Sequence, residues 1–219
     1  MITYEDIKKN EAIRAYIKKA DESLNALGFT EHSFAHVCLV AERAEMILSK
    51  LGYSQRDVEL AKISGYLHDI GNIVNRREHS QSGAVMAFRI LDKLEMSAEE
   101  IATIVTAIGN HDEGTGEAVN PIAAALIIAD KSDVRRSRVR NRDITKFDIH
   151  DRVNYSVIET KLSINEEKTQ ITLDLTIDTK ISPVIDYFEI FLNRMIMCKK
   201  AGNALGLEFK LIINNQAII

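Results

Sequence analysis

Apolar residues recur every three to four positions from the start of the chain to about residue 155, and every second position soon afterwards. A helical body followed by a small β-containing segment is therefore expected. The first helix opens at Thr3, with Asp6 three residues on, carries Ile7, Ile13, Ile17, Leu24 and Leu27 inward, and closes at Gly28. A second opens at Thr30 and buries Val37, Val40, Ala44, Ile47, Leu48 and Leu51. Ser54-x-x-Asp57 caps a third, with Val58, Ala61, Tyr66 and Leu67 inside, which stops at Gly71. A fourth follows His79, Ser97-x-x-Glu100 caps a fifth, and Asn120-Pro121 places a cap before a first-turn proline to start a sixth. The sixth is apolar nearly all round, so it belongs in the middle of a bundle.

Beyond residue 155, "YSVIETKLSI" and "TQITLDLTID" alternate, with Ile171, Leu173, Leu175 and Ile177 on one face of the second. "NEEK" between them suits a hairpin loop. Pro183 then starts a long helix to about Asn203, and "LEFKLII" reads as a closing strand. The fold class is mainly α, with residues 1–154 a helical bundle and 155–219 a small ββαβ appendage. Such a thin layer cannot cover both of its faces, so it packs on the bundle or on a second copy of itself. A homodimer through this C-terminal region is the corresponding expectation.

Charge alters this picture little. Twenty-eight basic residues face 32 acidic ones, a net charge of −4, which gives no general attraction to nucleic acid or membrane. The first ten residues lack the apolar core of a signal peptide, and the longest uncharged stretch, residues 118–129, is too short to span a bilayer. A cytoplasmic protein is expected. Cys38 and Cys198 sit on helical stretches as small hydrophobes and offer no disulfide framework.

The candidate chemistry lies in the histidines. There are six, and three precede an aspartate: His68-Asp69, His111-Asp112 and His150-Asp151. His68-Asp69 ends an apolar helix, where both side chains are costly unless compensated. Successive helical residues point about 100° apart, so such a pair can reach one ion lying between them and leave a carboxylate oxygen for a neighbour. His150-Asp151 lies in a polar run and reads as surface. His32 shares the helical face of His36 and reads as a surface histidine or one supporting a site residue, ahead of a substrate contact.

"HVCLVAERA", "YLHDIGN" and "ALIIADKSD" together resemble the HD-domain metal-dependent phosphohydrolases, whose pattern is H…HD…D, here His36, His68-Asp69 and Asp130. The binuclear members insert two further histidines, here His79 and His111. The resemblance covers roughly residues 30–140. It implies one metal on His36, His68, Asp69 and Asp130, and a second on His79, His111 and a bridging Asp69, with catalysis dependent on Asp69. Mixed imidazole and carboxylate ligation favours iron or manganese. Two divalent ions would activate a water for attack on a small phosphorylated substrate, a nucleotide being the expected class. The chain departs from the family at Asn72, where many members carry a lysine, and no GYP triplet follows His111.

The basic run after Asp130 supplies Lys131, Arg135 and Arg138 as substrate-binding candidates, with Arg76 in the loop before His79; Arg135 and Arg138 lie one turn apart if that run is helical. Asp133 is a candidate for orienting a ligand histidine. The same six ligands serve binuclear-iron oxygenases of this superfamily, and a nucleotide-sensing module without turnover is a third reading. Hydrolysis is the leading one.

Overall fold

A computed structural model describes all residues, 1–219. Nine α-helices come first or between strands: α1 (Tyr4–Lys9), α2 (Glu11–Ala26), α3 (Phe34–Leu51), α4 (Gln55–Leu67), α5 (His79–Lys93), α6 (Ala98–Gly109), α7 (Pro121–Lys131), α8 (Ile149–Ser156) and α9 (Val184–Ala204). The strands are β1 (Val157–Ile164), β2 (Gln170–Ile177), β3 (Glu208–Ile213) and the short β4 (Gln216–Ala217). The chain is thus mainly α, with a small C-terminal sheet on a helical body.

The caps read from the sequence operate as capping groups. Thr3 and Asp6 form a reciprocal capping box, while Ser54, Ser97 and Asn120 each accept a backbone N–H from the first turn of their helix. Three expectations are corrected. The first helix is broken at Asn10, whose side chain takes the N–H groups of Ala12 and Ile13 and so starts a new helix. The next helix begins after Ser33, not Thr30, because Glu31 ties the intervening loop through the amide and hydroxyl of Ser33. The run after Asp130 is not helical. After α7 ends at Lys131, the run to Arg142 holds a single 3-10 turn, Arg136–Arg138.

Helix α7 is buried from Ile122 to Ala129 and packs against α3, α4 and α6 on the bundle side and α9 on the other. Gly65 permits the close approach of α4 to α3, since a Cβ there would stand 2.8 Å from both Cα and N of Ala41. In the sheet, β1 pairs antiparallel with β2, β2 parallel with β3, and β3 antiparallel with β4. The parallel pair requires a crossover, which is α9. Register brings Ile171 opposite Phe209, Leu173 opposite Leu211 and Leu175 opposite Ile213. This face is buried and joins the bundle core, so the apolar residues of both regions pack as one continuous cluster. None of the helices is long and apolar enough to cross a membrane.

Candidate metal centre

The chain leaves α-helical geometry at the His68-Asp69 pair. Helix α4 ends at Leu67, Asp69 takes φ −93° and ψ 2°, and a 3-10 turn over Ile70–Ile73 follows. The sequence placed this end at Gly71, four residues beyond the observed Leu67. His36 stands in the first turn of α3, His79 is the first residue of α5, His111 lies just past α6, and Asp130 is near the end of α7. All four histidines are buried, as is Asp69.

Each ring is oriented through Nδ1. His36 Nδ1 lies 2.7 Å from Asp133 Oδ2, His68 Nδ1 2.7 Å from Gly65 O, His111 Nδ1 2.6 Å from Ile108 O and His79 Nδ1 3.1 Å from Arg76 O. An oxygen acceptor requires N–H at that position, so a neutral ring leaves a bare Nε2. Yet Nε2 of His36 and His68 face each other at 3.2 Å, and those of His79 and His111 at 3.1 Å. Two lone pairs at that distance repel unless a proton or a cation lies among them.

Carboxylates complete both groups. Asp69 Oδ2 lies 3.5 Å from His36 Nε2 and 3.4 Å from His68 Nε2, and Asp130 Oδ1 lies 3.3 and 3.6 Å from the same atoms. Asp69 Oδ1 points the other way, 3.4 Å from His79 Nε2. Ligands bonded at about 2.1 Å stand about 3.0 Å apart along the edge of an octahedron and about 3.4 Å apart in a tetrahedron. The observed spacings are those of donors around an ion. Asp69 Oδ2 is moreover buried with no hydrogen-bond partner. Two clusters, one of His36, His68 and Asp130 and one of His68, Asp69 and His111, bring their donor atoms within 4.8 Å of one another. The residues therefore fit a pair of divalent ions.

Burial pushes His68 down, but Asp69 and Asp130 outweigh it and hold the imidazolium up to about 10. Burial also works against ionisation of Asp69 and Asp130, yet His68 beside the first and Lys131 beside the second keep both carboxyls well below their usual range. Burial holds His111 and His79 below the ordinary imidazole range.

One partner was not evident from local sequence. Asn72, at the family's lysine position, donates its amide to Asp69 Oδ1 at 2.8 Å and to Asp69 O at 2.9 Å, and so fixes the shared carboxylate. Asp133 is buried between His36, Arg135 and Arg138. Burial raises its carboxyl, but Arg138 and His36 bring it well below the carboxylate range. The contact to His36 is the one expected of Asp133 as a candidate for orienting a ligand histidine.

The centre opens into a cavity of about 250 Å³. Arg76, Lys131 and Arg138 line it, along with His32, and Arg194 arrives from α9. Arg135 does not line it; its guanidinium binds Asp133 at 2.8 Å and Glu31 at 3.0 Å. His150 and Asp151, read as surface, stand at the cavity rim with Asn154.

The family model described as HD domain matches residues 33–152, more than half of the chain. The chain belongs to the HD domain family, and its centre is that of a metal-dependent hydrolase of this family. The uncharacterized protein MJ1020 of Methanocaldococcus jannaschii is 26% identical over 189 residues, covering 75% of this chain and 72% of that protein. Ribonuclease Y of Latilactobacillus sakei is 30% identical over 115 residues, 51% of this chain but only 20% of the enzyme. A solved structure described as a predicted HD superfamily hydrolase from an uncultured Thermotogales bacterium aligns with a TM-score of 0.44 at 21% identity, over 62% of this chain and 75% of that one.

Proposed function

We propose that the protein hydrolyses a phosphoester or phosphoanhydride of a small, nucleotide-sized or smaller substrate. The observation that carries this reading is the set of converging Nε2 atoms and the orphaned Asp69 Oδ2 beside a cavity lined by Asp69, His79 and Asp130 together with Arg76, Lys131, Arg138 and Arg194. In this reading His36, His68, Asp69 and Asp130 hold one ion, and His79, His111 and Asp69 the other, with iron or manganese suiting the donors. Bound there, two divalent ions supply Lewis acidity that activates water and offsets charge on the phosphoryl oxygens.

The chain's own residues do the rest. Asn72 holds Asp69 in one rotamer, and Asp133 fixes the tautomer of His36. Both reduce the reorganisation needed as charge develops on the substrate. Only Leu27, Phe29 and Phe191 among the lining residues are apolar, and the cavity is below the usual range of about 300–1,000 Å³ for drug-sized ligands, which favours a compact, polar phosphate compound.

The test is chromatographic product analysis on dinucleoside polyphosphates, cyclic dinucleotides, mononucleotides and small phosphomonoesters, each with manganese or iron. Turnover of one class, lost in Asp69→Ala, is the expected result. Hydrolysis that survives this substitution excludes the centre as the catalyst.

A further inference from the structure

The family match ends at residue 152, yet the cavity is completed from outside it by Phe191 and Arg194 of α9. The other cations around the centre already contact the site's own groups, although Arg76 and Arg138 keep Nη2 without a hydrogen bond. Lys131 Nζ lies 2.7 Å from Asp130, 3.4 Å from Glu113 and 4.0 Å from Asp112, so its single charge is already more than matched. Arg138 spends Nε on Glu31 O and Nη1 on Asp133 O, both at 2.9 Å. Arg135 is turned to Asp133 and Glu31. Arg76 donates Nη1 to Asn72 Oδ1 at 3.2 Å and stands 3.8 Å from Asp69 Oδ1.

Arg194 differs. Its Nε is placed 2.6 Å from Glu113 Oε1, and its guanidinium lies 4.6 Å from the Phe191 ring centroid. The approach is an ion pair that leaves Glu113 Oε1 without a hydrogen bond, and Arg194 makes no side-chain hydrogen bond, so Nη1 and Nη2 remain as a two-donor fork on a side chain that lines the cavity. A fork of this kind matches two oxygens of a phosphate.

We propose that Arg194 binds the phosphate group of the substrate, so that the C-terminal region supplies part of the active site. The proposal rests on reading the centre as a phosphohydrolase. It makes Phe191 and Glu113 positioning residues that hold the fork, and it explains why α9 packs directly on α7, the helix carrying Asp130.

The test is calorimetric titration of the manganese-loaded, full-length protein with inorganic phosphate. Arg194→Ala is expected to weaken phosphate binding by about tenfold or more, and Arg194→Lys to recover only part of it because the point charge lacks the fork. Arg89→Ala, an exposed arginine on α5 paired only with Asp92, controls for net charge. Should Arg194→Ala fold poorly by circular dichroism, Arg194→Lys still decides, since full affinity in that variant overturns the fork. Unchanged phosphate binding in Arg194→Ala, with the wild type hydrolysing an ester, overturns the inference and leaves the hydrolase reading intact. Arg194-dependent binding without turnover of any phosphate compound supports the anion site and counts against the hydrolase. Absence of millimolar phosphate binding in the wild type overturns the inference as well.

Discussion

Replacing Gly71 by alanine tests how the two halves of the metal centre are held together. A Cβ at this position would lie 2.0 Å from His79 O, 2.4 Å from Gly83 N and 2.6 Å from Ser82 Oγ. Real Cβ atoms essentially never approach closer than 3.0 Å, so the first contact alone demands a shift of 3.0 − 2.0, about 1 Å. The two nearest atoms are backbone of α5, so either the helix moves as a unit or the turn bearing Asp69 does. Both movements change the 3.4 Å approach of Asp69 Oδ1 to His79 Nε2. The donors His36 and Asp130 sit on α3 and α7, away from the clash. We therefore expect Gly71→Ala to retain one metal equivalent and lose the other, measured by plasma emission after equilibration with excess manganese and removal of unbound ion. A misplacement of 1 Å costs on the order of 10²-fold in turnover, and overpacking costs about 1–3 kcal/mol. At about 2–4 °C per kcal/mol for a chain of this size, Tm should fall by roughly 2–12 °C. A variant with two metals, an unchanged Tm and the wild-type rate would refute the reasoning.

Asp133→Asn should lower metal affinity by about 10–100-fold, because His36 loses the carboxylate that fixes its tautomer; metal titration against a competing chelator measures this, and unchanged affinity sinks it. Metal binding between pH 6.5 and 10 should release at least one proton, since the metal-free protein keeps His68 protonated up to about 10 and an ion must displace that proton. Calorimetry in buffers of different ionisation enthalpy reads the release, and identical heats in all buffers would exclude it. The raised imidazolium stabilises the metal-free fold fully below the unfolded value of about 6.5 and ceases to do so as pH rises through about 10, so metal-free Tm should decline over that interval. Ile185, Leu192 and Ile196 are exposed along α9; if a second copy covers them, light scattering should give a dimer that Leu192→Asp converts to monomer, and a monomeric wild type refutes that assembly.

Much of the order of the elements was legible because it depends on local rules, and the candidate ligands were named from a family resemblance carried by short motifs at helix ends. Caps such as Ser54, Ser97 and Asn120 act within one helical turn, the alternation in β2 needs only its own neighbours, and His36, His68-Asp69, His79, His111 and Asp130 stand at or near helix ends that the pattern locates. Local breaks were harder to place. Asn10 and Ser33 started helices that the apolar stripe alone could not delimit, since a side chain there competes for the same backbone donors as the preceding residues. Only tertiary packing decided the remainder. His36 receives its tautomer from Asp133, 97 residues away, and Arg135 is drawn from the cavity by Glu31, 104 residues away. Arg194 reaches the centre because the parallel pairing of β2 and β3 forces α9 to cross over and pack on α7. Such contacts follow from which surfaces the whole chain buries together, and no local pattern encodes that.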